Sequence, residues 1–213
     1  MSKPFLNLRL TFLLAGCLSG LACATMHKGS GGTPPPEQAA AYFPLVPGWK
    51  WAYEIERGGE QILATYAVLQ QMGDTVIVQA GEERNGYAIL PEGIARREGL
   101  NPGDFILKTP IRAGASWPLA GGTAKVVSVG ETVTLPAGSY ANCAVVEEVR
   151  TNPDRVLRTI YASGVGPISL EYQVSNPETR KFDVVLRARL LGLTRPGEDP
   201  MGNDATSSPP AKP

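Results

Sequence analysis

The chain has 213 residues, of which 43% are hydrophobic and 19% charged, and its 20 basic side chains balance its 20 acidic ones. A chain without excess positive charge has no electrostatic field to hold nucleic acid or an anionic lipid surface, so we expect neither as a partner. The 24 glycines and 19 prolines, with so few charges, are typical of an exported β-rich domain with many turns.

The first segment in chain order has the features of an export signal. Lys3 and Arg9 precede an apolar run that ends in Leu14-Ala15-Gly16-Cys17. A basic start, an apolar stretch and small residues before a cleavage site define a secretory signal. The run is broken by glycines and cysteines and falls short of the about 20 apolar residues of a membrane-spanning helix. A cut after Ala22 or Ala24 would release a free secreted protein, which is the alternative.

Leu14-Ala15-Gly16-Cys17 resembles the lipobox of bacterial lipoproteins, in which signal peptidase II cuts before the cysteine and acyl chains such as palmitate are attached. The resemblance implies that residues 1–16 are a signal peptide and that Cys17 holds the mature chain to a membrane of the cell envelope. Leu18 stands where inner-membrane lipoproteins often carry an aspartate, so we expect the outer membrane, with the protein facing the periplasm.

Two segments of biased composition flank a central domain. Residues 17–41 are predicted to be the lipid anchor and a tether, in which Gly29-Ser30-Gly31-Gly32 is flexible and Thr33-Pro34-Pro35-Pro36 is stiff. Residues 194–213 are rich in proline and small polar residues and are predicted to be a disordered tail. The remaining residues, 42–193, are about 150 in number and suffice for a single β-domain with a core.

Apolar and polar residues alternate along much of this domain. Such alternation is typical of antiparallel strands that have one face on a core and the other in water. It is clearest in residues 49–55, 127–135, 168–174 and 182–190. Two less regular apolar runs, from Ile62 to Leu69 and from Val76 to Ala80, are predicted to be strands covered on both faces.

Turn signals separate the predicted strands. They are Gly58-Gly59, Met72-Gly73-Asp74, Asn85-Gly86, Pro136-Ala137-Gly138 and Asn152-Pro153-Asp154. We therefore predict an all-β fold with at most a minor helix: an antiparallel meander of about nine to ten strands. It should form a curved sheet or an open half-barrel, because a flat meander of that length would expose its apolar face.

One short pattern, Pro-(Leu/Ile)-x-x-Gly-x-x-Trp, occurs twice, at Pro44–Trp51 and at Pro110–Trp117. In each copy the glycine permits a tight turn with positive φ, and the tryptophan enters the next strand. The two tryptophans either form an apolar platform for a ligand or plug the core where a loop enters a strand. Trp51, Trp117 and Tyr172, which lies on a later alternating strand, are the candidate contacts for an apolar ligand. The repeat is either a weak duplication or a recurrent turn.

Three stretches resemble the pattern of uncharacterised bacterial lipoproteins. They are Tyr42-Phe43-Pro44-Leu45-x-x-Gly48-x-x-Trp51-x-Tyr53, Leu135-Pro136-Ala137-Gly138-Ser139-Tyr140-x-Asn142-Cys143 and Gly164-Val165-Gly166-Pro167. The resemblance implies an architecture similar to the lipoprotein-carrier half-barrels, in which an antiparallel sheet curves around an apolar concavity. It brings no established activity and no functional residue.

No catalytic or metal site is predicted, and no cofactor. The single histidine, His27, lies in the tether, so neither a Ser-His-Asp triad nor a histidine-cysteine zinc cluster can form. Among paired carboxylates, Glu131 with Glu171 is conceivable, whereas Glu147 and Glu148 face opposite ways on a strand.

Within that adjacent pair, Glu147 is expected to share a face with Cys143 and Val145, which makes it the less ordinary of the two as a candidate catalytic acid. The favoured interpretation is a solvated or arginine-paired glutamate. Cys143 itself is expected to be a buried small residue rather than the partner of Cys23 in a disulfide.

These expectations describe a non-enzymatic envelope lipoprotein, bound to the membrane through Cys17, that binds an apolar ligand such as an acyl chain or lipid in a curved sheet. The alternative is a protein-interaction or structural envelope module with a filled core. An enzyme using only carboxylates is the third hypothesis. The first two differ in whether the sheet encloses an apolar cavity of ligand size, about 300 Å³ or more.

Overall fold

Twelve strands and one short helix make up residues 34–99 and 101–197, the part of the chain that a computed structural model describes. The predicted signal peptide, Cys17, Cys23 and most of the predicted tail lie outside the described residues. The elements are α1 (Ala39–Tyr42), β1 (Lys50–Arg57), β2 (Glu60–Met72), β3 (Thr75–Ala80), β4 (Glu83–Leu90), β5 (Gly93–Glu98), β6 (Asn101–Lys108), β7 (Ser116–Leu119), β8 (Gly122–Leu135), β9 (Gly138–Arg150), β10 (Arg155–Ala162), β11 (Gly166–Ser175) and β12 (Phe182–Thr194).

The strands form one antiparallel sheet built from two successive six-stranded meanders. Within each meander every strand pairs with the next one in the sequence. The last strand, β12, also pairs with β1, with Glu54 opposite Arg189. The order is therefore β6 to β1 followed by β12 to β7, and the sheet rolls into a nearly closed barrel shape around an apolar core. The predicted all-β antiparallel meander is confirmed.

Side chains close the seam between the two edge strands, β6 and β7, which share no backbone ladder in the described sheet. The Trp117 indole Nε1 on β7 donates a hydrogen bond of 2.8 Å to the backbone carbonyl of Phe105 on β6. Just after β7, the Ala120 N–H donates to the Asp104 carboxylate at 2.8 Å. Arg150 donates to the other oxygen of that carboxylate at 2.9 Å. Three hydrogen bonds, two of them to the Asp104 carboxylate, thus hold the seam closed.

The described sheet has twelve strands, so the prediction of nine to ten was wrong. Three features of the sequence made strands hard to predict. Asn85-Gly86 was predicted to be a turn but lies inside β4, where a Cβ on Gly86 would stand 2.9 Å from the side chain of Arg97. Strand β6 opens with Asn101-Pro102-Gly103, and β7 has only four residues. The other four predicted turns lie between strands, as expected.

Two predictions about strand faces were also wrong. The run from Ile62 to Leu69 is not covered on both faces, because Ile62 is 51% and Leu63 79% exposed. On β8, Val126 is buried while Val127 is 39% exposed. The register of β8 against β9 shifts just after Val126 and again twice along the strand, and each shift breaks the strict alternation.

Helix α1 lies against β5 and β11, two strands that are far apart in the sheet order. Its Tyr42 is fully buried, and the following Phe43 packs against Trp51 and Tyr161, with ring centroids 6.0 and 6.2 Å away. The packed chain begins before the predicted boundary at Tyr42, because Ala39 is buried and donates to the Thr109 hydroxyl at 3.1 Å. No helix of the described residues is long and apolar enough to cross a membrane.

The repeated Pro-(Leu/Ile)-x-x-Gly-x-x-Trp pattern folds into the same turn in both meanders. Gly48 and Gly114 have φ values of +89° and +86°, which confirms the predicted positive φ. Each glycine donates its N–H to the second strand of its own meander, Gly48 to Val68 and Gly114 to Val126, at 2.8 Å in both cases. The repeat therefore marks the entry to the first strand of each meander, β1 and β7.

Candidate functional site

The rolled sheet encloses a cavity of about 150 Å³ next to α1. We call it the aromatic cavity, because six of its lining side chains are aromatic: Phe43, Trp51, Tyr53, Tyr66, Tyr87 and Tyr161. Their rings pack edge-on or tilted, with Phe43 5.7 Å from Tyr87 and Tyr53 5.4 Å from Tyr66 between centroids. Such packing is favourable for aromatic rings and holds the wall in a fixed shape.

Two polar groups of this wall, on Trp51 and Tyr53, bond to the protein itself. The Trp51 indole Nε1 donates to the backbone carbonyl of Val165 at 2.7 Å, and the Tyr53 hydroxyl donates to that of Pro167 at 2.6 Å. Buried polar groups that already have partners do not need a polar ligand. The cavity therefore presents mainly ring faces and aliphatic carbons to whatever enters it.

Three tyrosines of the wall are held in the uncharged form by burial. Burial is the main cause that raises the pKa of Tyr53, Tyr87 and Tyr161 above the ordinary value of 10.0, because the phenolate would lose its hydration. The charged residues that line the cavity are Arg96 and Glu148.

A buried carboxylate, Glu148, lies at one side of the aromatic cavity. Its side chain is only 7% exposed and is flanked by Arg96 on β5, at 3.8 Å, and by Arg150, at 3.4 Å. Arg150 also pairs with Asp104 at 2.9 Å. Burial acts to lower the pKa of Arg150, but the bonds to Asp104 and Glu148 outweigh it and raise that pKa above its ordinary value.

Of the adjacent pair, Glu148 and not Glu147 faces the interior. Glu147 points to the outside of the sheet, where Arg158 contacts it at 3.0 Å, so the favoured interpretation as an arginine-paired glutamate is confirmed. The two glutamates face opposite ways, as predicted. Every residue from Cys143 to Val146 is buried, however, so a buried Cys143 did not identify the interior face. Glu148 and Arg150 lie two residues apart on one face of β9, but this spacing alone does not distinguish a buried pair from an exposed one.

A second hollow, of about 280 Å³, adjoins the aromatic cavity. We call it the arginine hollow, and its lining residues are Arg96, Glu148, Arg150, Arg155, Leu157 and Tyr172. Three of them, Arg96, Glu148 and Leu157, also line the aromatic cavity. The Arg96 side chain is 46% exposed, so the arginine hollow is the side from which solvent reaches this region.

The three candidate contacts for an apolar ligand lie in three different places. Trp51 forms part of the aromatic cavity, and Tyr172 lines the arginine hollow. Trp117 is buried at 3% exposure in the seam and is not among the residues that line either hollow. The structure thus brings Trp51 and Tyr172 to adjoining hollows and separates Trp117 from both.

Cys143 is fully buried, and its thiol contacts the carbonyl of Tyr140 at 3.2 Å. Burial raises the pKa of this thiol, which keeps it protonated and unreactive. In residues 34–99 and 101–197, no group of three or more histidine, cysteine, aspartate or glutamate side chains is placed to hold a metal ion.

Comparison with known proteins gives only distant likenesses. No family model matches the chain. No curated protein matches it either. One similar solved structure is a protein assigned as exported, with a YmcC-like fold, from Bacteroides fragilis NCTC 9343. It has a TM-score of 0.41 and 12% identity, over 72% of this chain and 99% of that one.

Another solved structure is a protein assigned as a lipoprotein from Parabacteroides distasonis ATCC 8503. It has a TM-score of 0.40 and 11% identity, over 76% of this chain and all of that one. Both TM-scores lie below 0.5, so neither likeness carries an argument about this chain.

Proposed function

We propose that this chain is a non-enzymatic, lipid-anchored lipoprotein of the cell envelope that holds the apolar part of a small ligand inside its rolled sheet. One observation carries the binding proposal: the interior contains a cavity walled by six aromatic rings, in which the Trp51 indole N–H and the Tyr53 hydroxyl bond to the protein itself. The lipobox at Leu14–Cys17 supports the anchor.

The size of the aromatic cavity restricts the ligand. Its volume of about 150 Å³ is half of the roughly 300 Å³ at which drug-sized ligand pockets begin. An apolar cavity of about that volume in an engineered protein accepts a molecule as small as benzene. We therefore propose that a short alkyl or ring segment enters, rather than a whole lipid. Burial of about four methylene groups would contribute roughly 3 kcal/mol.

Apolar binding is tested by a substitution that enlarges a side chain of the cavity wall. Ala188 on β12 lines the aromatic cavity, so Ala188→Leu should place extra carbons inside it and abolish the binding of 1-octanol, measured by displacement of an apolar fluorescent dye. The matched control is Ala52→Leu, because Ala52 is exposed on the neighbouring strand β1. Equal binding of octanol by both variants and the parent, or no binding at all, would disprove the proposal.

The anchor is tested separately. Cys17→Ala should abolish the incorporation of labelled palmitate and move the protein from the membrane to the soluble fraction, because several acyl chains at about 0.8 kcal/mol per buried methylene are then lost. Cys23→Ala is the control and should keep both the label and the membrane location. Separation of the two membranes of the envelope tests the proposed outer-membrane site. Palmitate incorporation into the Cys17→Ala protein would refute lipidation at Cys17.

A second candidate function, a protein-interaction module, is favoured by exposed apolar residues on the outside of the sheet. Leu63 on β2 is 79% exposed and Phe182 at the start of β12 is 45% exposed. Such residues mark a partner-binding surface where they form a contiguous patch. A photo-crosslinker at residue 63 should trap one discrete partner in intact cells, whereas a crosslinker at the exposed Thr132 on β8 should not.

A further inference from the structure

We propose that the arginine hollow binds the carboxylate of a single-chain anionic amphiphile, a fatty acid of medium length, whose tail occupies the aromatic cavity. This inference rests on the proposed apolar binding and names the class of ligand. The new element, beyond the proposed apolar binding, is a site for the head group of the ligand at Arg96, Arg150 and Arg155.

The first argument is continuity between the two hollows. Arg96, Glu148 and Leu157 belong to the lining of both, so one molecule can lie across the boundary. Beyond that boundary the lining changes from aromatic rings to guanidinium groups. A molecule that matches both sides has a polar head and an apolar tail.

The second argument is an unfavourable pairing of like charges. Arg150 and Arg155 lie directly opposite one another on the paired strands β9 and β10. Like charges that face each other across antiparallel strands repel and destabilise the pair. Both side chains line the arginine hollow, where an anion lying between them would remove that repulsion.

The third argument is the charge balance of the site. Three arginines and a single carboxylate, Glu148, line the arginine hollow. Arg150 also holds Asp104, which leaves the group with one uncompensated positive charge. Among residues 34–99 and 101–197, no carboxylate forms an ion pair with Arg155. A monovalent head group, such as a carboxylate, balances this charge, whereas a doubly charged phosphate would exceed it.

The fourth argument concerns recognition chemistry. The Glu148 carboxylate already lies between Arg96 and Arg150, which demonstrates that guanidinium groups at this place accept a carboxylate. The planar fork of arginine matches the two oxygens of such a group. Arg155, the cross-strand neighbour of Arg150, is the group left to bind a second one.

The experiment compares three probes on the complete protein: octanoate, 1-octanol and acetate, each by displacement of the same apolar dye at low salt. The unaltered protein should bind octanoate about tenfold more tightly than octanol, the size of one charge-assisted hydrogen bond. Acetate, which lacks the tail, should displace no dye at the same concentration. Arg155→Gln should remove the tenfold preference and leave octanol binding unchanged.

Arg158→Gln is the matched control, because Arg158 lies on the same strand but faces outward to Glu147. It should keep the full preference for octanoate. Arg155→Lys, which retains the charge but not the fork, should keep a part of the preference and also tests whether the site tolerates substitution.

The outcomes separate the two proposals. If octanol and octanoate bind the unaltered protein equally, the head-group site does not exist and the apolar binding stands. If neither probe binds, both the proposed function and the head-group site are disproved. If Arg158→Gln removes the preference as fully as Arg155→Gln, the effect is a general attraction to positive charge and the assignment to the arginine hollow is wrong.

Discussion

Replacement of Trp117 by phenylalanine should open the seam between β6 and β7. The change removes the bond of 2.8 Å from the indole N–H to the carbonyl of Phe105, which contributes about 1 kcal/mol. The smaller ring buries less apolar area at a site that is 3% exposed, which costs about 1 kcal/mol more. We expect the free energy of unfolding to fall by about 2 kcal/mol, measured by urea denaturation with circular dichroism.

Hydrogen exchange distinguishes an open seam from general destabilisation. Trp51→Phe is the matched control, because Trp51 makes the equivalent bond at 2.7 Å but lies on β1, which is paired on both sides. Both variants should lose similar stability. Only Trp117→Phe should speed amide exchange in β6 and β7 beyond that of the rest of the sheet. Equal exchange of these strands in the two variants, or a loss below about 0.5 kcal/mol, would refute the role of Trp117 in the seam.

Three further predictions concern other parts of the molecule. The buried Cys143 thiol, whose pKa is raised by burial, should not react with a thiol reagent at pH 8 until denaturant is added. The hydrogen bond from Arg187 lowers the pKa of Glu171 below the ordinary 4.5. The stability from this pair is complete above that value and is lost as the pH falls through the lowered pKa. Arg187→Gln should therefore flatten the acid side of the stability profile in urea titrations. Gly93→Ala should reduce the free energy of unfolding by at least about 2 kcal/mol, because φ is +148° and the new Cβ would overlap the carbonyl oxygen of Leu107.

The alternation of apolar and polar residues predicted the type of fold, because successive residues of a strand face opposite sides of an antiparallel sheet. Trp51 and Tyr53 on β1, and Ala188 and Leu190 on β12, point inward as their alternation predicts. The pattern failed where the local geometry departs from an ideal strand. The bulges of β8 change the face after Val126, and of the three register shifts only the one at Gly130, whose φ is +83°, coincides with a residue type that favours a bulge.

The site was less predictable than the fold because its charged residues meet across the rolled sheet. Arg96 and Glu148 are 52 positions apart and lie on strands that are not neighbours in the sheet. Their contact depends on how far the sheet curls, which alternation does not encode. Trp51 could be chosen as a candidate because a large aromatic residue at a strand entry normally faces the core. Glu148 gave no such local signal.

The two copies of the tryptophan turn lie at the two junctions between the meanders, of which one is a backbone ladder and the other is the seam. In each copy the indole N–H bonds to a backbone carbonyl outside its own strand pair, Trp51 to Val165 and Trp117 to Phe105. β1 also forms a backbone ladder with β12, so the bond of Trp51 adds to an existing joint and its ring is free to form part of the cavity wall.

β7 has four residues and no ladder to β6, so the bond of Trp117 is part of the joint itself. The same motif therefore has a different role at each junction. The strand that it precedes is paired on both sides in the first meander, at β1, and on one side in the second, at β7. It follows that lengthening β7 to restore a ladder to β6 should make Trp117 as replaceable as its counterpart, while the aromatic cavity, which Trp117 does not line, keeps its binding properties.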